Sequence, residues 1–254
     1  MLSKVKVHKA AQGFRKKRSI ISNATPHLGK NCLLKMDMAN FFPSISLPRV
    51  IKVFRILGYP PNVSFYLGRL CCLDDVLPQG AATSPALSNI VAKRLDVRLC
   101  GLAKKCNLQY TRYADDITFS GNNISVRFPE IVHEIIQDEG FVVNTEKTRL
   151  CRSRGKRVVT GLSVSGDKLK VPRNYKRRLR QEIHYILCFG YYSHVSKLKN
   201  RDPFYIDSIY GKLLFWNWVE PENSFVKESL PKISAIMRRF GVTNDVANPT
   251  KRET

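Results

Sequence analysis

Asp115 and Asp116 stand side by side in "QYTRYADDITFS", between two runs of strand-forming residues, in a chain whose formal net charge is +23. Adjacent carboxylates repel, and neighbouring side chains on a straight strand point to opposite faces. Taken alone, the dipeptide reads as a polar turn. A tight turn can nevertheless direct both carboxylates at one region, and bound cations then offset their repulsion. A third aspartate, Asp37, closes an apolar run in "NCLLKMDMANFFPSI". Carboxylates from more than one segment are what a pair of divalent cations roughly 3.5–4 Å apart requires, and such a pair activates an attacking hydroxyl while stabilising a leaving phosphate. Mg2+ suits hard carboxylate oxygens and shares its shell with substrate phosphates.

For that chemistry, the chain must bring Asp37 beside the other two. An apolar strand ends near Asp37. A helix follows over residues 47–58, with Ser46 as N-cap, Pro48 in its first turn, Gly58 as its stop, and Val50, Ile51, Phe54 and Leu57 on its apolar face. A short helix over 62–72 and a Pro- and Gly-rich loop, "DDVLPQGAATSP", lead to a long helix from about Pro85 to Cys106. The acidic pair then marks the turn of a hairpin. A helix ending at Gly140 and a strand over 141–152 come next, and "RVVTGLSVSG" pairs with "DKLKVP" as a further hairpin. From Pro172 the pattern is helical and basic, and the tail after Gly241 reads as disordered. Strand, helices, hairpin, helix and strand from 32 to 150 make an α/β (α+β) split βαβ sheet, which can set the end of its first strand beside the turn of its central hairpin.

Composition narrows the partner. Lys and Arg number 43 against 20 Asp and Glu, so a polyanion, nucleic acid first, is implied. The charge is uneven: nine Lys or Arg and no acid precede Asp37, and thirteen lie between Lys147 and Arg180 against Asp167 alone. Two basic regions around an acidic centre suggest a channel that grips phosphates. The seven cysteines show no CxxC pairing, so neither a zinc site nor a disulfide framework is indicated. "MLSKVKVHKA" lacks the apolar core of a signal peptide, and "IHYILCFGYY" is too short to span a bilayer. The expectation is a cytoplasmic protein with no membrane partner.

"YADD" between strand-like runs resembles the catalytic hairpin of reverse transcriptases. "MDMANFFPSI" resembles their first aspartate motif, "LPQGAATSPALSN" their nucleotide-binding loop, and "GFVVNTEKT" their next motif. "NATPH" and "VVTG" fit the NAxxH and VTG motifs of the retron branch. The resemblance implies a right-hand polymerase: a remnant of the fingers over 1–31, a palm over 32–150 with fingers-type helices near 47–75, a primer-grip-like hairpin over 151–171, and a basic helical thumb over 172–241. Relatives carry more chain before "GFRKKRSI", so only part of the fingers is expected.

The same resemblance implies the site. Asp37, Asp115 and Asp116 hold two Mg2+ ions, and Lys147 protonates or neutralises the departing pyrophosphate. Met38, Ala39, Asn40, Phe41 and Phe42 line the deoxynucleoside triphosphate, with Phe42 rather than Phe41 crowding the sugar 2′-position. Gln79 contacts the nucleotide, and Gly80 lets the backbone approach it. Asn23, His27, Val159, Thr160 and Gly161, with Arg173, Lys176, Arg177 and Arg180, meet RNA. Read by residue type alone, Asn23 could instead cap a helix and His27 be a satisfied structural histidine. Tyr175, Tyr185, Tyr191 and Tyr192 either stack on RNA or build the thumb core, and the Trp216/Trp218 segment is mainly packing. The implied reaction is RNA-directed DNA synthesis on a structured noncoding RNA that is both template and primer. It starts from an RNA 2′-hydroxyl, yields single-stranded DNA, and serves anti-phage defence with an effector protein. The alternatives are a noncatalytic RNA-binding scaffold that keeps the palm, or another bacterial reverse transcriptase class such as the group II intron type.

Overall fold

Cys32–Ala39 forms β1, whose burial alternates from Leu34 to Ala39. Leu34, Met36 and Met38 enter the core, while Lys35, Asp37 and Ala39 lie on the other face. Each fully buried apolar side chain contributes about 1.5–3 kcal/mol. A slip of one residue would exchange the two faces, so this alternation fixes the register that Asp37 inherits. The structure, a computed structural model, describes residues 2, 5–152 and 155–240. The chain divides into two compact units, Met1–Lys168 and Leu169–Thr254. The expected disordered tail over 242–254 lies outside the described residues.

In the first unit, β1 is one of the two inner strands of a four-stranded antiparallel sheet with β2 (Gln109–Tyr113), β3 (Asp116–Gly121) and β4 (Val142–Cys151). The spatial order β2-β3-β1-β4 is that of a split βαβ arrangement, as the element order predicts. β1 runs two residues past Asp37, to Ala39, and ends where Asn40 takes a φ of +49°. Helices α2 (Leu47–Ile56), α3 (Pro61–Cys71), α4 (Ser84–Val91) and α5 (Lys93–Lys105) separate β1 from β2, and α6 (Phe128–Asp138) joins β3 to β4. α5 packs on β2 and α6 on β4, covering the apolar face. The polar face meets α1 (Ile20–Ala24) and a 3-10 turn at Thr25–His27.

Three local expectations are corrected. The long helix over 85–106 is two helices, interrupted at Ala92, whose ψ of 2° leaves the helical range. Asn89 and Asp96, on either side of the break, both turn to one buried arginine, Arg112. Ser46 stands at the N-cap of α2 with extended backbone but its side chain makes no capping bond. The hairpin near 158 is shorter than expected: β5 (Val158–Val159) pairs with β6 (Leu162–Ser163), and "DKLKVP" is not its return strand. Thr160 and Gly161 form the turn with φ of +42° and +81°, the two positive values of a type I′ turn.

The second unit is helical: α7 (Arg173–Phe189), α8 (Tyr191–Leu198), α9 (Tyr205–Val219) and α10 (Ser224–Phe240). Leu179, Ile183, Ile206, Ile209, Leu213, Trp216, Val226 and Ile233 make its core. All seven cysteines are free thiols. Among the described residues, no helix is long and apolar enough to cross a membrane.

Candidate active site

Asp37 lies directly across the ladder from Asp116. The Met38 N–H donates to the Asp115 carbonyl at 3.1 Å. That bond joins the residue after Asp37 to the residue before Asp116, so the two aspartates form the non-hydrogen-bonded kind of antiparallel pair. In such pairs the Cα atoms are about 4.5 Å apart and the two side chains share a face. Asp115 is the second residue of the two-residue turn and Ala114, with φ +56°, the first. The sheet therefore gathers the three carboxylates at one end of its polar face.

The surroundings of Asp115 and Asp116 disfavour ionisation. Burial pushes the Asp115 carboxyl above its ordinary range, and the Asp37 charge adds to the shift. Burial likewise raises Asp116, with Asp115 and Asp37 adding and Lys35 and Lys147 opposing. Lys147 reaches this cluster through an irregularity in β4. Two steps along β1, from Lys35 to Asp37, face five along β4, from Arg149 to Asn144. The surplus residues arch out, and Lys147 on the arch sets its Nζ 3.1 Å from Asp37 Oδ2. The bond to Asp37 raises the Lys147 ammonium above its usual range.

Half-buried carboxylates that repel one another, with one lysine as partial counterion, suit hard divalent cations. Among the described residues, no group of three or more Asp, Glu, His or Cys side chains is placed as it stands to hold a metal ion. Mg2+ draws part of its shell from substrate phosphates, so a complete protein cage is not expected. In donor chemistry the residues present fit a divalent cation, which Asp37, Asp115 and Asp116 would hold.

Beyond β1, Phe41 and Phe42 sit on a turn, so strand alternation does not separate them. Phe41 is buried, 5.6 Å from the Phe141 ring, whereas Phe42 is half-buried with the exposed Phe14 at 6.1 Å. Met38 is buried, Ala39 half-buried and Asn40 exposed. Gln79 and Gly80 are exposed on the loop before α4, and the φ of +96° at Gly80 favours glycine there.

Asn23 and His27 are inside the protein, and so is Val159. Their side chains are turned inward and do not themselves present a surface to RNA. His27 Nδ1 bonds Ser120 Oγ at 2.6 Å and Nε2 bonds Thr111 Oγ1 at 2.8 Å, tying β2 to β3 on the face that carries Asp116. Burial lowers its pKa to about 4, so the ring is neutral. Asn23 Nδ2 donates to Thr160 Oγ1 at 3.4 Å, and that hydroxyl donates to the Ile20 carbonyl at 3.3 Å. The two short motifs thus meet: α1 holds the Thr160–Gly161 turn, of which Gly161 is exposed.

In the helical unit, Arg173 and Arg177 are exposed. Lys176 instead pairs with Glu220 at 2.6 Å, and Arg180 lies over the Trp216 and Phe225 rings at 5.2 and 5.1 Å. The Tyr175 hydroxyl donates to the Lys212 carbonyl at 2.9 Å, and Tyr192 is exposed. Trp216 is buried, whereas Trp218 is half-exposed.

Sequence reasoning missed Phe14, Asn89, Asp96 and Arg112. Arg112 and Asp96 are fully buried and joined at 2.7 Å. The one signal was an aspartate beside Leu95 on the apolar face of a helix, which by itself names no partner.

The family of reverse transcriptases (RNA-dependent DNA polymerases) matches residues 1–186. The Retron Ec86 reverse transcriptase of Escherichia coli is 42% identical over 178 residues, 69% of this chain and 56% of that protein. The Retron Mx65 reverse transcriptase of Myxococcus xanthus is 40% identical over 204 residues, 72% of this chain and 48% of that protein. The chain spans about half the length of these curated relatives. Among solved structures, a Candida albicans telomerase with a fragment of telomeric RNA gives a TM-score of 0.47 at 13% identity, covering 87% of this chain and 51% of that one, a likeness too loose to bear on function.

Proposed function

The chain belongs to the reverse transcriptase family and is of retron type, and from that premise we propose that it carries out RNA-templated DNA synthesis. A primer hydroxyl attacks the α-phosphate of a deoxynucleoside triphosphate and pyrophosphate leaves. The observation that carries this reading is the pairing of Asp37 with Asp116 beside Asp115. Bound by these carboxylates, a pair of Mg2+ ions would activate the hydroxyl and carry the charge that builds on the departing oxygen. Catalysis of phosphoryl transfer is mostly positioning and electrostatics, and the sheet supplies both.

Lys147 stands on Asp37 until substrate arrives, then turns its Nζ to the pyrophosphate and protonates or neutralises it. The half-buried Phe42 ring faces the sugar and disfavours a 2′-hydroxyl, while Gln79 and the backbone from Met38 to Phe42 hold the nucleotide. Arg173, Arg177 and the exposed Gly161 turn meet RNA phosphates. The retron likeness supports a structured noncoding RNA as template and primer, a start at an RNA 2′-hydroxyl, a single-stranded DNA product, and anti-phage defence with a separate effector protein.

The test is extension in Mg2+ on the RNA that copurifies with the protein, wild type against Asp115→Asn. Product from the wild type only, with RNA binding equal in both, supports the enzyme. No product from either, with RNA still bound, overturns it in favour of a binding scaffold.

A further inference from the structure

Near the aspartates, the backbone departs most from side-chain preference at Ala114, whose φ of +56° favours glycine. Such strain persists where the surroundings over-determine it, and it clusters at functional sites. Three contacts hold this turn. Arg112 Nη1 donates to the Ala114 carbonyl at 3.0 Å. The Met38 N–H donates to the Asp115 carbonyl. Gly13 approaches so closely that a Cβ there would lie 2.8 Å from the Ala114 nitrogen.

Arg112 is itself fixed. Its Nε and Nη2 donate to the two oxygens of Asp96 at 2.8 and 2.7 Å, and Nη2 also reaches Asn89 Oδ1 at 3.1 Å. Asp96 accepts the Tyr110 hydroxyl at 2.8 Å, and Asn89 Nδ2 donates to the Gly13 carbonyl at 2.9 Å. The contacts close a ring from Arg112 to the turn, from the turn to Gly13, and through Asn89 back to Arg112. Desolvation offsets much of a buried ion pair's attraction, so apolar side chains could serve the core as well. Apolar side chains could not donate to the Ala114 carbonyl.

Resting on the polymerase reading above, we propose that Arg112 is a positioning residue for the catalytic turn. Locked by Asp96 and Asn89, it holds the Ala114 carbonyl so that Asp115 and Asp116 present their carboxylates beside Asp37.

Two variants test this from opposite sides. Arg112→Lys keeps a charge by Asp96 but cannot hold both Asp96 oxygens and the turn. Gly13→Ala presses on the turn and leaves the ion pair intact. Amide hydrogen exchange without metal compares residues 109–121 with the rest of the sheet. Extension assays on the copurifying RNA give kcat, the deoxynucleotide KM and the Mg2+ midpoint. Both variants are expected to exchange faster at the turn alone, with kcat down about 100-fold, the Mg2+ midpoint raised severalfold, and KM and RNA affinity unchanged. Wild-type exchange at the turn, or acceleration spread evenly through the sheet with an unchanged Mg2+ midpoint, overturns the positioning role. If Arg112→Lys does not fold, Gly13→Ala decides alone. A wild type that makes no product overturns the polymerase reading instead and leaves the exchange measurement to judge Arg112.

Discussion

Burial, with Asp115 and Asp37 beside it, raises the Asp116 carboxyl above its ordinary range. A carboxyl whose folded pKa is raised costs stability wherever it is ionised in the native state, and the cost fades as pH falls through that raised pKa. Asp116→Asn should therefore raise the melting temperature at pH 7 without divalent cation, by on the order of 2 °C after allowing for solvent screening. Added Mg2+ should close the gap by stabilising the wild type only. A lower melting temperature for the variant under both conditions would contradict this. His27 carries the opposite linkage. Its pKa drops to about 4 in the folded state against 6.5 unfolded, so its contribution is complete above pH 6.5 and is lost as pH falls toward 4. Denaturant titrations should show the wild type losing on the order of 3 kcal/mol over that interval relative to His27→Gln. Parallel pH profiles for the two proteins would refute it. The three aspartates were legible in the sequence because their type, spacing and flanking patterns constrain one another. The pairing of Arg112 with Asp96 was not, because nothing local identifies the partner of a buried charge.

At the scale of elements, the palm order could be read from periodicity, and the sheet β2-β3-β1-β4 agrees with it. The misreadings have physical causes. No Gly or Pro marks the break at Ala92, where tertiary bonds from Asn89 and Asp96 govern the path. The β5–β6 turn is poorly marked in the sequence, since threonine rarely adopts a positive φ, yet Thr160 does so at +42° while bonded to α1. Thr160→Val removes that hydroxyl and leaves a buried Asn23 amide unpaired, at a cost of about 1–3 kcal/mol. Hydrogen exchange should quicken in residues 158–163 while exchange in β1 and β3 holds. Unchanged protection of the hairpin would show that α1 does not hold it.

Over the whole molecule, the proposed binding of RNA would draw on a charge of +23. Neutralising six to ten phosphates makes affinity fall about 10³–10⁵-fold between 50 and 200 mM salt. Filter binding of the copurifying RNA should show that steepness, and a flat salt response would point to recognition without backbone contacts. The buried Asn23 and His27 make no part of this term. On the proposed reading Arg173 and Arg177 contribute to it, and charge reversal at both should lessen the salt slope.

The central claim is that Asp37, from one strand, completes a metal site with two aspartates from a distant hairpin. Mn2+ titration followed by electron paramagnetic resonance, with primer-template and a nonhydrolysable deoxynucleotide analogue present, tests it most directly. Wild type should bind two ions per chain at the site, and Asp37→Asn should lose binding as fully as Asp116→Asn does. Wild-type Mn2+ binding in Asp37→Asn, with Asp116→Asn impaired, would contradict the account.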